Sequence, residues 1–299
     1  MMGKIALYKF ILFLLILGLS GCMNKPKQLQ LQSAQEIEAL GKACEDLEKR
    51  QIETWDARDP EKLRDIYTED IVHFDAYPYI VGIDQVIDMA SGMFNRLKPW
   101  KMVSGETFIS QEKCVGTWVN WGVRGFTREN PGLEFDLLET KDNKISFLRL
   151  FYDEKFDFYP IDDKFLAMFE NAWSASDANS LVDIYSENAV LEDTLFGISV
   201  EGRDHIADYG QNFIELSQGG TWTLIQGFTE RQAPIIYQEE YPFPSLGGVF
   251  SVNTTMQDGS SCELRVLVIL TPDENGKIQS QETFYNANTL DECGWVKRK

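Results

Sequence analysis

From Ser33 onward, Ile37, Leu40, Cys44, Leu47 and Trp55 recur at helical spacing with Gln51 on the same line, which predicts a long amphipathic helix. Ser33 followed by Glu36 three residues later is a capping box that starts it. Asp59 and Pro60 read as the cap and first-turn proline of a second helix carrying Leu63, Ile66 and Tyr67. The segment IVHF reads as a short strand, and a third helix begins near Gly82 with Ile83, Val86, Ile87 and Ala90 on one face. Beyond it the pattern changes to alternation, in KMVSGETFI, KCVGTWVNWGVRGF, LEFDLLET and KISFLRLFYD. These predict a meander of strands, with KDNK as a tight turn.

This order occurs twice. TWDARDPEKLRDIYTEDIVHFD aligns without a gap on AWSASDANSLVDIYSENAVLED, so that Trp55 matches Trp173, Tyr67 matches Tyr185 and Asp75 matches Asp193 at a constant offset of 118. Downstream, VGIDQVIDMA answers EGRDHIADYG, and KDNKISFLRLFYD answers ENGKIQSQETFYN. A period of about 120 residues exceeds that of stacked repeats and points to duplication of a whole domain. The boundary falls near residue 158, giving a first domain over 34–158, a second over 159–290 and a C-terminal tail over 291–299.

The N-terminus carries Lys4 and Lys9, the apolar run ILFLLILG and the small residues LSGC, the layout of a signal peptide over 1–21. LSGC resembles the lipobox of bacterial lipoproteins, which implies lipidation at Cys22 and a membrane anchor on the extracytoplasmic side of a bacterial envelope. Residues 22–33 then form a polar tether. Removal of the signal leaves 26 basic against 47 acidic residues, a net charge of about −21, and no basic stripe, which argues against nucleic acid as a partner. Four cysteines remain in an exported setting where disulfides persist. Pairing within each half, Cys44 with Cys114 and Cys262 with Cys293, is the preferred arrangement of three, with free buried thiols as the alternative. No CxxC or Cys/His cluster suggests a metal.

The motif W-x-x-x-D-x-x-x-[LI]-x-x-[LI]-[YF]-x-x-[DEN]-[AI]-V-x-x-D, followed after a gap by Gly, resembles the SnoaL-like and ketosteroid isomerase branch of the nuclear transport factor 2-like superfamily. The resemblance covers nearly all of 34–290 in two copies. It implies an α+β fold: two tandem cones, each with three N-terminal helices on a strongly curved, mainly antiparallel sheet, packed as a pseudo-dimer. It also implies a carboxylate base at Asp75 and Asp193, and a second, protonated acid near Asp136 that holds an enolate oxygen beside a tyrosine. That tyrosine is absent: its position is Gln51 in the first copy and Phe169 in the second.

On a strand, His73 and Asp75 share a face, so His73 is placed to assist Asp75 or to sit satisfied in the wall. Asp136 faces either the cavity, solvent or a neighbour such as Arg149. Trp118, Tyr77 and Trp55 are candidate ligand contacts, and Asp193 is a candidate in the second copy. His73 and Asp136 match Leu191 and Val268, so chemistry, where present, belongs to the first copy. The sequence thus reads as an anchored lipoprotein binding a small, largely apolar or polyketide-like molecule, with no cofactor called for. Beside it stand an acid–base enzyme of isomerase, cyclase or hydrolase type acting next to a carbonyl, and a protein-interaction or assembly domain, because fold does not fix function.

Overall fold

The computed structural model describes residues 31–75, 79–97, 99–111, 113–122, 125–156, 161–175, 177–230, 244–255 and 259–296. Cys22 and the signal segment lie outside these residues, as does Tyr77. Among the described residues no helix is long and apolar enough to cross a membrane.

Helix α1 (Ala34–Asp56) is followed by a 3₁₀ turn (Pro60–Lys62), the short α2 (Leu63–Ile66), strands β1 (Tyr67–Phe74) and β2 (Ile80–Val81), α3 (Ile83–Arg96) and the meander β3 (Lys101–Ile109), β4 (Lys113–Trp121), β5 (Gly132–Lys141) and β6 (Lys144–Tyr152). The order then recurs as α4 (Asp163–Ser174), α5 (Asn179–Val182), β7 (Tyr185–Asp193), β8 (Ile198–Glu201), α6 (Arg203–Ser217), β9 (Thr221–Glu230), β10 (Leu246–Thr255), β11 (Ser261–Pro272) and β12 (Ile278–Tyr285), closed by α7 (Ala287–Glu292). The architecture is mixed α+β on a large sheet.

Local chemistry explains the elements. Ser33 and Glu36 form both halves of the capping box of α1. Asp142 and Asn143 take φ of 54° and 62° in the β5–β6 turn, the pair of left-handed positions that suits the twist of a two-residue hairpin. Gly82 and Gly202 precede α3 and α6 with φ of 93° and 91°, a region L-residues rarely enter. Their amides donate to Ile71 and Ala189 carbonyls at 2.8 Å, so each glycine turns the chain from strand to helix while keeping that bond.

Strand β1 begins earlier than the IVHF reading, at Tyr67, which the sequence placed in the second helix. It lies parallel to β6, with Tyr67 opposite Ile145 and His73 opposite Leu148, and this long-range pairing overrides the local helical pattern. Residues 291–296 are not a loose tail. Trp295 is buried against Phe196 and Phe213, and Cys293 is bonded to Cys262. The tether also ends early, because the Gln32 amide donates to the Leu195 carbonyl at 3.3 Å and Leu31 packs on the core. Cys44 is bonded to Cys114, joining α1 to β4.

The two meanders meet edge to edge. β6 pairs with β9 and β12 with β3, and since β11 also pairs with β12, eight strands close into a ring. Phe108, Phe135, Leu137 and Phe151 from the first half meet Phe228, Leu267, Ile269 and Phe284 from the second in a separate apolar core. Arg149 bonds Glu230 across this junction, and Lys113 reaches Glu282 at 2.6 Å. These strands are therefore apolar on the side facing the other half. Their opposite side faces the helices, and there the two halves differ.

Candidate functional site

A cavity of about 300 Å³ opens between α1, α3 and the β4–β6 meander. Its wall is apolar at Met89, Met93, Leu97, Trp100, Met102, Leu148, Leu150 and Phe156, and polar at Gln51, His73, Asp75, Asn120, Glu134, Asp136 and Tyr152. Strand parity explains this. Phe135 and Leu137 point into the core between the halves, so Glu134 and Asp136 point the other way, under α1. Asp136 faces neither solvent nor Arg149: it is fully buried, and Arg149 bonds Glu230.

Each acid has its own partner. The Gln51 amide donates to Asp136 Oδ2 at 3.0 Å, the Tyr152 hydroxyl donates to Asp75, and the Asn120 amide meets Glu134 Oε2 at 3.4 Å. Asp136 Oδ1, His73 Nδ1 and Trp118 Nε1 are buried without a hydrogen-bond partner. Among the described residues no lysine or arginine lines the cavity. Burial above all, then repulsion from Glu134, Glu48 and Asp75, raises the Asp136 pKa well above the carboxylic range, against the Gln51 hydrogen bond. Burial with Asp75 nearby pushes Glu134 up to about 8, and the Tyr152 phenol is raised by the same causes. Burial lowers His73, which is held as a neutral imidazole despite Asp75. At neutral pH the cavity thus offers a carboxylic acid at Asp136, able to donate, and the Asp75 carboxyl at its partly exposed side.

His73, Asp75, Asp136, Trp55 and Trp118 therefore line a single void. Asp193 does not join them. It is fully buried in the second half, where Tyr209 and Tyr285 hydroxyls donate to its Oδ2 at 2.5 and 2.6 Å, and burial raises it to about 6. Trp55 has a structural task as well, donating to the Tyr67 hydroxyl at 3.1 Å, and Trp173 does the same to Tyr185 at 3.2 Å.

The sequence reading missed Glu134, Tyr152 and Asn120, and gave Gln51 only as a missing tyrosine. Two signals for them stand in the chain: Glu134 is two residues from Asp136, hence on the same strand face, and Tyr152 recurs as Tyr285, with the same bond to the matching aspartate.

Register fixes the second half's counterparts. Leu150 opposite Asp136 corresponds to Thr283 opposite Val268, and Tyr152 opposite Glu134 corresponds to Tyr285 opposite Val266. Asn120 opposite Met102 becomes Val252 opposite Trp222. With Phe169 in place of Gln51 and Leu191 in place of His73, this interior is packed with rings, Phe169 lying 5.3 Å from Phe250 and 5.7 Å from Trp222, and its buried polar side chains are instead Asp193, Gln281 and Thr283.

Residues 49–147, which carry most of this polar wall, match the family model for the SnoaL-like domain. That match covers about a third of the chain and lies wholly in its first half, which is therefore similar to a SnoaL-like domain over these residues. In all, 249 chains of known structure match the protein. One is SalBIII, described as an epoxide hydrolase/cyclase-like enzyme in pyran ring formation in the polyether salinomycin, with 16% identity over 42% of this chain and 91% of that one, at a TM-score of 0.35. Another is a hypothetical protein of ketosteroid isomerase-like fold from Catenulispora acidiphila in complex with trimethylamine, with 12% identity over 45% of this chain and 95% of that one, at a TM-score of 0.36. No curated protein matches the chain. The stretch so matched ends before Tyr152, yet the Asp75 partner comes from there, at the edge of β6 that meets the second half.

Proposed function

We propose that the first half takes a small, largely apolar molecule into its cavity and carries out acid–base chemistry next to a carbonyl group. Asp75 acts as the base, held and aimed by Tyr152, and protonated Asp136 donates a hydrogen bond to the oxygen on which charge develops, with Gln51 fixing its orientation. His73, as a neutral imidazole, orients the ligand beside Asp75. One observation carries the reading: the polar groups converge on one void in one half, while Phe169, Leu191, Val252, Val266 and Val268 replace Gln51, His73, Asn120, Glu134 and Asp136 in the other. Packing or solubility alone demands no such asymmetry in a duplicated fold.

In this reading the two halves are cone domains joined as a pseudo-dimer, the second serving as a closed scaffold that completes the sheet around the first. The chain is an extracytoplasmic lipoprotein anchored through Cys22, a reading supported by the lysine-flanked apolar run ending in LSGC. The test is titration of the protein with cyclic ketones and polyketide-like compounds, followed by tryptophan fluorescence, since Trp55, Trp100 and Trp118 all line the cavity. Saturable quenching that Asp136→Asn weakens is the expected result. Quenching indifferent to Asp136 across the whole set contradicts the proposed site. Ligand uptake with no turnover of any compound reduces the function to binding alone.

A further inference from the structure

Glu48 is a carboxylic acid with no place in the chemistry above, yet it is fully buried on α1, one turn before Gln51. Its side chain occupies a space left by a glycine. A Cβ built on Gly116 would lie 2.7 Å from Glu48 Cδ and Oε1, and Gly116 sits directly opposite Asp136 in the β4–β5 ladder. Opposed residues of such a ladder present side chains on one face with Cβ positions about 5 Å apart. The Glu48 carboxyl thus stands where the cross-strand neighbour of Asp136 would stand. Glu48 Oε2 accepts the Ser104 hydroxyl at 2.5 Å, and Ser104 is exposed on the outer part of β3. Glu48 Oε1 and Asp136 Oδ1 are both buried without a hydrogen-bond partner.

The second half provides an internal control. Glu48, Ser104 and Asp136 correspond there to Leu166, Leu224 and Val268, while the glycine opposite the last of these is kept as Gly248. All three polar residues are present together in one half and absent together in the other. Ser104 is at the surface and needs no polar partner, and a buried glutamate without a task is a costly filler.

We propose that Glu48 is a proton relay, connecting Asp136 to solvent through Ser104 along a route separate from the cavity mouth. Asp136 donates a hydrogen bond in the chemistry above; whenever it loses that proton, to the ligand oxygen or to water in the cavity, Glu48 passes the proton it holds from Oε1 to Asp136 Oδ1. The Ser104 hydroxyl proton moves to Glu48 Oε2, and solvent returns one to Ser104 Oγ. Glu48 and Ser104 each gain one proton and lose one, and one net proton reaches Asp136. Glu48 does not touch the ligand, so it is a positioning residue. Among the described residues, the titratable groups around the pair are the acids Glu45 on α1, Glu134 on β5 and Asp75 after β1, which favour keeping a proton on the relay, and the Tyr67 and Tyr152 phenols, whose pKa values burial raises. Burial holds Glu48 protonated up to about pH 8, against the Ser104 hydrogen bond.

The inference rests on Asp136 being protonated in the proposed function, but its test needs no substrate. The protein, moved rapidly from H₂O into D₂O at pH 7, is followed by infrared spectroscopy of the protonated carboxyl bands, with Asp136→Asn and Glu48→Gln identifying the two. Ser104→Ala, a change at an exposed position, is expected to slow deuteration of the Asp136 band about tenfold or more, and Glu48→Gln to slow it comparably. Exchange as fast in both variants as in the wild-type protein overturns the relay and leaves Asp136 as donor. A wild-type protein with no protonated Asp136 band at pH 7 overturns both.

Discussion

Gln51 reaches across from α1 to donate to Asp136 at 3.0 Å, and the matching positions of the second half are Phe169 and Val268. One helix-and-strand pair of positions is thus polar and hydrogen-bonded in the half with the cavity and apolar in the half packed with rings. A buried hydrogen-bonded amide and acid contribute less to stability than two apolar groups of the same shape, so the polar version points to chemistry.

Asp75→Asn keeps an oxygen that can accept from Tyr152 but removes the base. Turnover is expected to fall by at least about 10³ with folding unchanged, while Tyr152→Phe, which releases Asp75 from its anchor, lowers turnover by a smaller factor of about 10. Steady-state rates beside thermal melts of the two variants check this. Unchanged turnover in Asp75→Asn removes it as the base.

Glu48 gives the protein a pH-dependent stability with a definite sign. Its pKa is raised from 4.5 to about 8, so between these values the folded state holds a proton that the unfolded chain has lost. Its contribution is complete below pH 4.5 and declines as pH rises, by on the order of 4 kcal/mol at pH 8.5, since each unit corresponds to about 1.4 kcal/mol. Denaturant melts at pH 5 and 8.5 are expected to show a smaller loss for Glu48→Gln than for the wild-type protein. Equal losses mean that Glu48 ionises freely in the fold.

Gly116→Ala places a methyl group against the Glu48 carboxyl and is expected to cost about 1–3 kcal/mol as overpacking. Pairing it with Glu48→Ala makes room, so the double variant is expected to lose less than the two single losses combined. Additive losses in a double-mutant cycle place the carboxyl elsewhere.

Trp55 and Trp173 make the same indole-to-phenol hydrogen bond, so replacing either by Phe is expected to cost about 1 kcal/mol. Only Trp55 lines the cavity. Ligand quenching is therefore expected to change in Trp55→Phe and to persist in Trp173→Phe. An equal effect of both on binding places a ligand in the second half too.

The two disulfides span sequence separations of 70 and 31, and chain-entropy arguments give each about 4 kcal/mol of stabilisation. Reduction before thermal unfolding is expected to lower the melting temperature. Replacing Cys44 and Cys114 by Ala is expected to weaken ligand uptake more than replacing Cys262 and Cys293, because only the first bond ties α1 to the cavity-bearing meander. A melting temperature indifferent to reductant contradicts the pairing.

Much of the fold was legible because it is written in periodicity. The capping box at Ser33, the third helix after Gly82 and strands β3, β5 and β6 stand within a residue or so of where alternation and turn chemistry put them. The start of β1 was not, since Tyr67 continues a helical pattern and is drawn into a strand by distant β6. Trp295 was hidden for a similar reason, as nothing local says that a chain end will plug a core. For the site, the contrast of Asp136 with Val268 was visible, but Gln51, Glu134 and Asn120 gain meaning only when α1, β4 and β5 bring them onto one void. Glu48 was further out of reach, because its role depends on the gap above Gly116.

The central claim is that Asp75 and Asp136 perform acid–base chemistry beside a carbonyl. The most direct measurement is proton NMR of α-hydrogen exchange in cyclic ketones dissolved in D₂O with catalytic amounts of the protein. The account expects exchange well above the buffer rate, lost in Asp75→Asn and strongly reduced in Asp136→Asn. Exchange at the buffer rate with wild-type protein, for every ketone shown by fluorescence to enter the cavity, contradicts it.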